Sequence, residues 1–225
     1  MPSKKTAVVL LSGGLDSTTS LYWAKNEFHS VVALSIRYGQ RHIKELNAAR
    51  AVARAAKVQL NEVKITLPWL SGSSLTNKKL RLPDMPLQKI GTSGIPSTYV
   101  PGRNTIFLSL AVSLADAVNA SAIVIGANAL DYSGYPDCRP PFIRAFGVVA
   151  ERGTKRGSEG KPLKILAPLL RLDKKGVVRL AENVGATLHL TWSCYAGGKK
   201  QCRRCDSCKL RAKGFREAGL TDPAA

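Results

Sequence analysis

Short strand-like segments alternate with longer mixed segments in the first half of the chain. Largely apolar runs cover residues 7–11 and 31–36, and the segments 60–65 and 122–125 have the length and apolar content of two further strands. Apolar runs of this length that end in turn-forming residues are typical of buried strands. The pattern therefore predicts four strands separated by segments long enough to be helices.

Three segments predict helices between these strands. Residues 15–28 contain no helix-breaking residue, and residues 104–118 are apolar on nearly every side, so we expect this second helix to be sandwiched in the core. Residues 42–57 predict an amphipathic helix. Its two faces are Ile43, Leu46, Ala49 and Ala53 against Lys44, Glu45, Arg50 and Arg54. Because strands alternate with helices, the chain is predicted to fold as an α/β protein with a Rossmann-like, doubly wound parallel sheet.

Two segments interrupt this alternation. Residues 66–102 contain five prolines and no periodic pattern, and a connection of that length is usually a functional lid or a linker. Residues 150–161 combine three glycines with mixed charges and predict a mobile surface loop. We therefore expect a first domain over residues 1–190, with 66–102 as a lid or insert, and a small second unit over 191–218 that ends in a helix.

The composition indicates a folded chain with an unusual charge. Of the 225 residues, 44% are hydrophobic and 22% are charged, as in ordinary globular proteins. Lys and Arg number 34 against 15 Asp and Glu, which leaves a formal net charge of +19. That excess predicts an anionic partner, which is a nucleotide, a nucleic acid or a membrane surface.

The hydropathy pattern argues against a membrane protein or a secreted one. No apolar run approaches the roughly 20 residues that a membrane-spanning helix needs. The apolar run after the basic N-terminus has five residues before a glycine pair, which is too short for the core of a signal peptide. We therefore expect a cytoplasmic protein with reduced thiols and no membrane partner.

A glycine pair lies between the first predicted strand and the first predicted helix, where residues 12–17 read SGGLDS. Glycines let successive backbone N–H groups converge on one point, and a helix N-terminus attracts anions. The hydroxyl groups of Ser12 and Ser17 add donors, and Asp16 is suited to hold Mg²⁺. The segment lacks the Lys-Ser/Thr pair of a Walker loop and the GxGxxG dinucleotide fingerprint. The alternative interpretation is a turn in which Asp16 and Ser17 cap the helix.

Four of the five cysteines are close together in the sequence: Cys194, Cys202, Cys205 and Cys208. Four thiolates satisfy a tetrahedral Zn²⁺, and a site without an open position is structural. An iron–sulfur cluster is the main alternative, although the proline that follows the last cysteine in ferredoxins is missing, and metal-free cysteines are a third. The fifth cysteine, Cys138, is expected to be a packing residue that also lines the site.

Several longer motifs occur in a fixed order along the chain. They are SGGLDSTTSLYWA at 12–24, YGQRH at 38–42, TYVPGRNTIFLSLA at 98–111, IGANALDYSGYPDCRPPFI at 125–143, and TWSCYAGG and CDSCKLRAKGFREAGLTDP within 191–223. The first resembles the loop of the N-type ATP pyrophosphatases, which split ATP into AMP and pyrophosphate. Together the motifs resemble the QueC (ExsB-like) family of 7-cyano-7-deazaguanine synthases over nearly the whole chain.

This resemblance implies an adenine nucleotide alpha hydrolase-like fold and an ATP-dependent ligase. The implied reaction converts 7-carboxy-7-deazaguanine and ammonia, through adenylated intermediates, to 7-cyano-7-deazaguanine in queuosine precursor biosynthesis. By the family pattern the four clustered cysteines hold one structural zinc, and ATP is bound together with Mg²⁺. The implied ATP-binding residues are Leu11, Ser12, Gly13, Gly14, Leu15, Asp16, Ser17, Thr18, Thr19, Ser20 and Leu21.

Four side chains are candidate catalytic groups: Asp16, Arg103, Lys174 and Asp131. We expect Arg103 and Lys174 to clamp phosphates, and the alternative for each is a solvated surface cation. We expect Asp131, or else Asp137, to bind the amino and imino edge of the deazaguanine, because an ionised carboxylate accepts two hydrogen bonds there.

Three other expectations concern residues near the site. Tyr132 or Tyr135 is expected to stack on the substrate ring, whereas His42 and His189 are expected to be structural. The chain lacks a second cysteine for sulfur transfer and a cysteine after Met1 for a glutaminase, so free ammonia is the expected nitrogen source.

Two of the departures from the family pattern affect the expected activity, and two rival functions remain open. Arg37 and Gly176 stand where the family usually has acidic residues, which affects substrate detail and rate. One rival function is a tRNA-modifying ATP pyrophosphatase, which would use the positive charge to bind RNA. The other is a zinc-ribbon nucleic-acid binder built on residues 192–216. A homodimer is the commonest oligomeric state for such a chain.

Overall fold

A computed structural model describes residues 3–92, 94–130 and 134–224. The described chain has five strands: β1 (Ser3–Leu10), β2 (Phe28–Arg37), β3 (Gln59–Lys64), β4 (Ala122–Val124) and β5 (Lys164–Leu166). It has seven α-helices: α1 (Leu15–Glu27), α2 (Lys44–Ala56), α3 (Arg103–Ala117), α4 (Pro140–Arg152), α5 (Lys155–Ser158), α6 (Lys174–Asn183) and α7 (Asp206–Ala218). No helix among the described residues is long and apolar enough to cross a bilayer.

The strands form one parallel sheet in the order β3-β2-β1-β4-β5. The central strand β1 pairs with β2 on one side and β4 on the other, so that Val8 lies opposite both Val32 and Ile123. Strands β2 and β3 are added in turn on one side of β1, and β4 and β5 are added on the other side. The boundary between β1 and β4 is therefore the topological switch point of the sheet. Ligands of such sheets bind at the carboxyl ends of the strands beside this point. The predicted α/β class and the doubly wound parallel sheet are therefore confirmed.

The core lies in two layers, one on each face of the sheet. Alternate residues of β1 contribute to different layers, because successive side chains of a strand point to opposite faces. Val8 and Leu10 pack with buried residues of α3 and α4, whereas Ala7 and Val9 pack with those of α1 and α2. A sheet covered on both faces explains why the strands are nearly continuous apolar runs.

Two predictions about secondary structure are wrong. Helix α3 is not sandwiched: Leu108, Ala111 and Ala115 are buried, but Ser109 and Ser113 on the other side are exposed. The apolar residues between these two sides are only partly covered by the core.

The segment predicted as a mobile loop contains the short helix α5. Thr154 caps this helix by accepting a hydrogen bond from the Gly157 N–H. The Asp116 carboxylate accepts bonds from the backbone of Lys155 and Arg156, so that one local contact and two distant ones order the segment. Residues 66–102 are irregular as expected, apart from single 3-10 turns at Leu70–Gly72 and Leu87–Lys89.

Candidate active site

The SGGLDS segment forms a tight loop between β1 and α1. The Ser12 and Ser17 hydroxyl groups lie 3.0 Å apart, and Ser17 Oγ also accepts the Ser12 N–H at 3.2 Å. Gly14 is the N-cap of α1, and no side chain caps the helix. The alternative interpretation, in which Asp16 and Ser17 cap α1, is therefore wrong. The uncapped first turn leaves its N–H groups available to an anion.

Gly13 lets this loop lie directly against α2. Its φ of +87° is in the left-handed region, and a Cβ atom there would lie 2.3 Å from the Glu45 carbonyl oxygen and 2.4 Å from the Ala49 nitrogen. Those two atoms belong to helix backbone, which cannot move aside as the end of a side chain can. A glycine is therefore required by both conformation and space.

We expect Gly13→Ala to lower the free energy of unfolding by about 3 kcal/mol, because it adds backbone strain to a clash with α2. Gly14→Ala is the matched control: the Gly14 φ is −81° and its nearest atoms would be 3.6 Å from the new Cβ. The control is expected to change stability by less than about 1 kcal/mol. Urea unfolding measures both, and equal midpoints for the two variants would contradict the close approach of the loop to α2.

The predicted ATP-binding residues other than Gly13 and Gly14 fall into two groups. A cavity of about 250 Å³ at the carboxyl ends of the strands is lined by Leu11, Ser12, Leu15, Asp16 and Ser17. The remaining helical ones are buried without lining the cavity: Thr18, Thr19, Ser20 and Leu21. Only residues within 11–17 of the predicted range therefore face the cavity.

Asp16 and Lys174 form an ion pair in this cavity. The Lys174 Nζ donates to both carboxylate oxygens of Asp16, at 2.9 and 3.0 Å. The lysine side chain is 5% exposed, compared with 23% for the aspartate. Lys174 begins α6, whose N-cap Asp173 accepts the Gly176 N–H at 2.7 Å. Lys174 is therefore a buried cation and not a solvated surface residue.

Arg103 adds a second cation to the same cavity. It begins α3 and is partly buried. Burial alone would lower the pKa of Arg103, but its contacts with Tyr38 and its proximity to Tyr135 and Cys138 raise it overall. Arg103 therefore stays charged in the cavity that it shares with the loop of residues 12–17, called the phosphate loop below.

The segment that precedes α4 includes Asp137, which contacts the start of α3 and not the cavity. Asp137 is 5% exposed, and its Oδ2 accepts the Asn104 N–H at 3.0 Å at the start of α3. This contact makes Asp137 a helix-positioning residue, and it does not line the cavity. Asp131 and Tyr132 lie outside the described residues.

Cys138 lines the cavity, as expected. Burial, followed by the charge of Asp137, raises the pKa of its thiol to about 11, and the Asn104 side chain donates to its sulfur at 3.3 Å. A thiol with this pKa is protonated at neutral pH and is therefore a poor nucleophile.

Glu45 is a cavity residue that the amphipathic pattern of α2 assigned to the charged outer face. It lines the cavity with Arg103 and Tyr38. Burial raises the pKa of Glu45 to about 7, Arg103 opposes that shift and Cys194 adds to it. The only sequence signal for this role is that Glu45 is the one acidic residue in the first turn of α2.

The four clustered cysteines meet in space. Their Sγ atoms all lie within 4.8 Å of one another. A tetrahedral zinc with bonds of about 2.3 Å holds its sulfur atoms roughly 3.8 Å apart. Backbone N–H groups of residues 196 and 202 donate to the Cys194 sulfur at 3.4 and 3.3 Å. Such bonds favour the thiolate form, so this group of residues fits a metal ion.

The cysteines strongly affect one another's ionisation. Hydrogen bonds from Cys205 and Cys208 hold the pKa of Cys194 far below its usual range. The bond to Cys194 is the first cause that raises the pKa of Cys205 to about 12, and burial adds to it. Four thiolates are compatible in so small a volume only if a positive charge lies between them.

The cysteine segment is attached to the phosphate loop. The Trp192 N–H donates to the Gly13 carbonyl at 2.9 Å, and His42 Nε2 lies 3.0 Å from the Cys194 carbonyl. Arg211 of α7 is 2% exposed in its side chain, donates to Ser193 Oγ and lines the cavity. Folding of the cysteine segment and shape of the cavity are therefore coupled.

The chain is an α/β protein of the nucleotide-binding class. Three features define this class here: the parallel sheet, the glycine loop before α1 and the cations around that loop. The fold is similar to that of NMN synthetase from Francisella tularensis, with a TM-score of 0.50 and 14% identity over 98% of this chain and 74% of that one.

The family-model comparison identifies the chain within this class. Residues 6–219 match the model described as Queuosine biosynthesis protein QueC, and the chain belongs to that family. It is similar to the 7-cyano-7-deazaguanine synthase of Acetivibrio thermocellus, with 51% identity over 97% of this chain and 96% of the relative. The enzyme of the same name from Acinetobacter baylyi is 52% identical over 96% of this chain and 93% of the relative.

Proposed function

We propose that this protein is an ATP-dependent 7-cyano-7-deazaguanine synthase that converts 7-carboxy-7-deazaguanine and ammonia to the nitrile. Identity near 50% to synthases over almost the full length supports the reaction. The observation that carries the proposal is the cavity in which the uncapped start of α1, the Asp16–Lys174 pair and Arg103 face one another.

ATP is bound with its phosphates at the loop of residues 12–17. The N-terminus of α1 attracts the phosphate groups, and Arg103 and Lys174 supply two cations that neutralise the charge on a departing pyrophosphate. Asp16 is the residue that would hold Mg²⁺, which supplies further charge neutralisation when bound. The Lys174 Nζ donates to Asp16 Oδ1 at 2.9 Å. This ion pair keeps both side chains in place before ATP binds.

The first half of the reaction makes an amide. One oxygen of the substrate carboxylate attacks the α-phosphorus of ATP, pyrophosphate leaves, and an acyl-adenylate forms. The nitrogen of free ammonia then attacks the carbonyl carbon, AMP leaves, and one proton is lost. Glu45, with a pKa raised to about 7 first by burial, is suited to accept that proton because its pKa lies near the operating pH.

The second half converts the amide to the nitrile. The amide oxygen attacks the α-phosphorus of a second ATP, and pyrophosphate leaves again. Loss of AMP and of both N–H protons gives the carbon–nitrogen triple bond. The same loop and the same two cations serve both adenylations, so one cavity suffices.

Zinc is the metal that we propose for the cluster of Cys194, Cys202, Cys205 and Cys208. Four sulfur ligands leave no open position, so the ion is structural and holds the cavity wall around Ser193 and Arg211. We propose one zinc per chain. The homodimer, the RNA contact and the division at residue 190 stay predictions from the sequence.

A product assay tests the proposed activity. The zinc-loaded protein is incubated with ATP, Mg²⁺, ammonium and 7-carboxy-7-deazaguanine, and mass spectrometry follows the products. We expect the nitrile, with two AMP and two pyrophosphate released for each one formed. ATP cleavage stimulated by tRNA, without any nitrile, would instead support a tRNA-modifying ATP pyrophosphatase.

A further inference from the structure

A second cavity of about 260 Å³ adjoins the one that contains the phosphate loop. It lies beneath residues 83–92 and 94–98, and it is lined by five apolar side chains, three glycines, two tyrosines and four polar or charged residues. Gly134 closes part of the wall, because a Cβ atom there would lie 2.4 Å from the Gly94 carbonyl oxygen. The mechanism described above leaves this cavity without a role.

Two tyrosines and the start of α7 separate the cavities. Tyr135 and Tyr195 line both of them. The consecutive residues Asp206 and Ser207 line the second and the first cavity, respectively. A molecule in the second cavity therefore lies beside a nucleotide in the first, which is the arrangement that transfer of an adenylyl group between them requires.

Asp206 is the buried acidic group of the second cavity. The residue is 8% exposed, and its Oδ1 accepts the Met85 N–H at 2.9 Å. Oδ2 has no hydrogen-bond partner among the described parts of the chain. That oxygen is therefore available to accept hydrogen bonds from a ligand with N–H donors.

The surroundings of Asp206 favour a flat heterocycle. Pro83, Ile90 and Pro96 provide apolar walls, which suit the faces of an aromatic ring system. A carboxylate binds best to two adjacent N–H groups in one plane. The N1–H and 2-amino groups of a guanine-like base present such a pair, and the ring faces are apolar.

We propose that the second cavity binds the base of the non-nucleotide substrate, and that Asp206 accepts hydrogen bonds from its N1–H and 2-amino groups. The carboxyl group of the base then points past Tyr135 and Tyr195 toward the phosphate loop. This assignment rests on the proposed function for the identity of the base. Under this assignment, the described residues of the segment 83–98 cover the bound base.

Binding measurements test the assignment without relying on turnover. The zinc-loaded enzyme, with a non-hydrolysable ATP analogue present, is titrated with 7-carboxy-7-deazaguanine and with its analogue that lacks the 2-amino group. We expect the wild type to bind the second compound about tenfold to a hundredfold more weakly, because a buried acceptor loses its donor. Equal affinity of the wild type for both compounds would overturn the assignment even if no variant folded.

Asp206→Asn is the direct variant, and Asp84→Asn is its control. The asparagine keeps an acceptor for the Met85 N–H but presents an amide donor to the ligand, so we expect it to lose most of the discrimination. Asp84 lies in the same covering segment, is 55% exposed and pairs with Lys209 of α7 outside both cavities, so its variant should discriminate as the wild type does. Zinc content and ATP-analogue affinity are measured for each protein, and both should be unchanged.

Hydrogen exchange locates the ligand independently. The base should protect the amides of residues 83–98, whereas the ATP analogue alone should protect those of residues 12–17. Protection by the base confined to residues 12–17 would refute the second cavity as its site. If the base binds with the expected discrimination but no nitrile forms, the proposed function fails and the cavity assignment stands. If the nitrile forms and Asp206→Asn binds both compounds as the wild type does, the assignment alone fails.

Discussion

Replacement of Lys174 by methionine is expected to lower kcat for nitrile formation by about a hundredfold to a thousandfold. The lysine ammonium lies 2.9 Å from the Asp16 carboxylate and is almost fully buried, so no solvent cation or neighbouring side chain takes its place. Methionine keeps an unbranched stem of similar length. That stem matters because a Cβ atom on Gly214 would lie 2.5 Å from Lys174 Cγ, which shows how closely α7 packs against it.

Lys175→Met is the control for this experiment. Lys175 is the next residue of α6, is only partly buried and does not line the cavity, so its loss should change kcat by less than about threefold. Single-turnover kinetics of both variants separate adenylation from product release, and thermal unfolding checks that the fold is intact. A Lys174→Met enzyme with the kcat of the wild type would contradict a role in pyrophosphate departure.

The partner of Lys174 provides a second check on the same pair. Asp16→Ala should also abolish turnover while leaving the fold intact. Because the two groups contact each other, the double variant should lose little more than Asp16→Ala alone. Additive losses would indicate that the two residues act in separate steps.

Replacement of Cys208 by alanine is expected to abolish stoichiometric zinc binding and to lower Tm by more than about 10 °C. The thiol is one of four whose sulfur atoms lie within 4.8 Å of one another, and binding of a structural zinc contributes its free energy directly to folding. For a chain of this size, a loss of several kcal/mol corresponds to a fall of this order in Tm. The loss should extend to activity, because the segment is bonded to the phosphate loop through the Trp192 N–H.

Metal analysis and calorimetry measure this prediction. Cys138→Ala is the control, because it removes a buried cysteine that lies outside the cluster and should retain one zinc per chain. The wild type should be colourless, and a brown preparation with stoichiometric iron would support an iron–sulfur cluster in place of zinc. A Cys208→Ala protein with full zinc content and an unchanged Tm would contradict the four-cysteine site.

Local patterns in the sequence predict the parts of this protein that are built from neighbouring residues. Apolar runs predict four of the five strands of the sheet, because a buried strand needs several consecutive apolar residues. The glycine pair predicts the loop before α1, because a tight turn needs residues with a flexible backbone. The strands β4 and β5 both have three residues, but β5 begins with an exposed lysine and is not fully buried, so it leaves no apolar run like that of β4. The amphipathic pattern of α2 predicts the helix but misassigns Glu45, since a polar residue facing a cavity and one facing bulk solvent look alike in a sequence.

Sequence alone determined the class of fold, the position of the glycine loop before α1 and the cysteine cluster, because each depends on residue types at short, regular spacings. Only the tertiary structure decided which distant groups meet. It places Lys174 on Asp16 across 158 positions of the chain, assigns Asp137 to the start of α3, and directs Asp206 into a second cavity although it lies between two cysteines of the cluster. The physical reason is that pairing and desolvation of charged groups depend on distances set by the order of the strands and the packing of helices on them. The periodicity of a sequence reports whether a residue is buried, but not beside which partner.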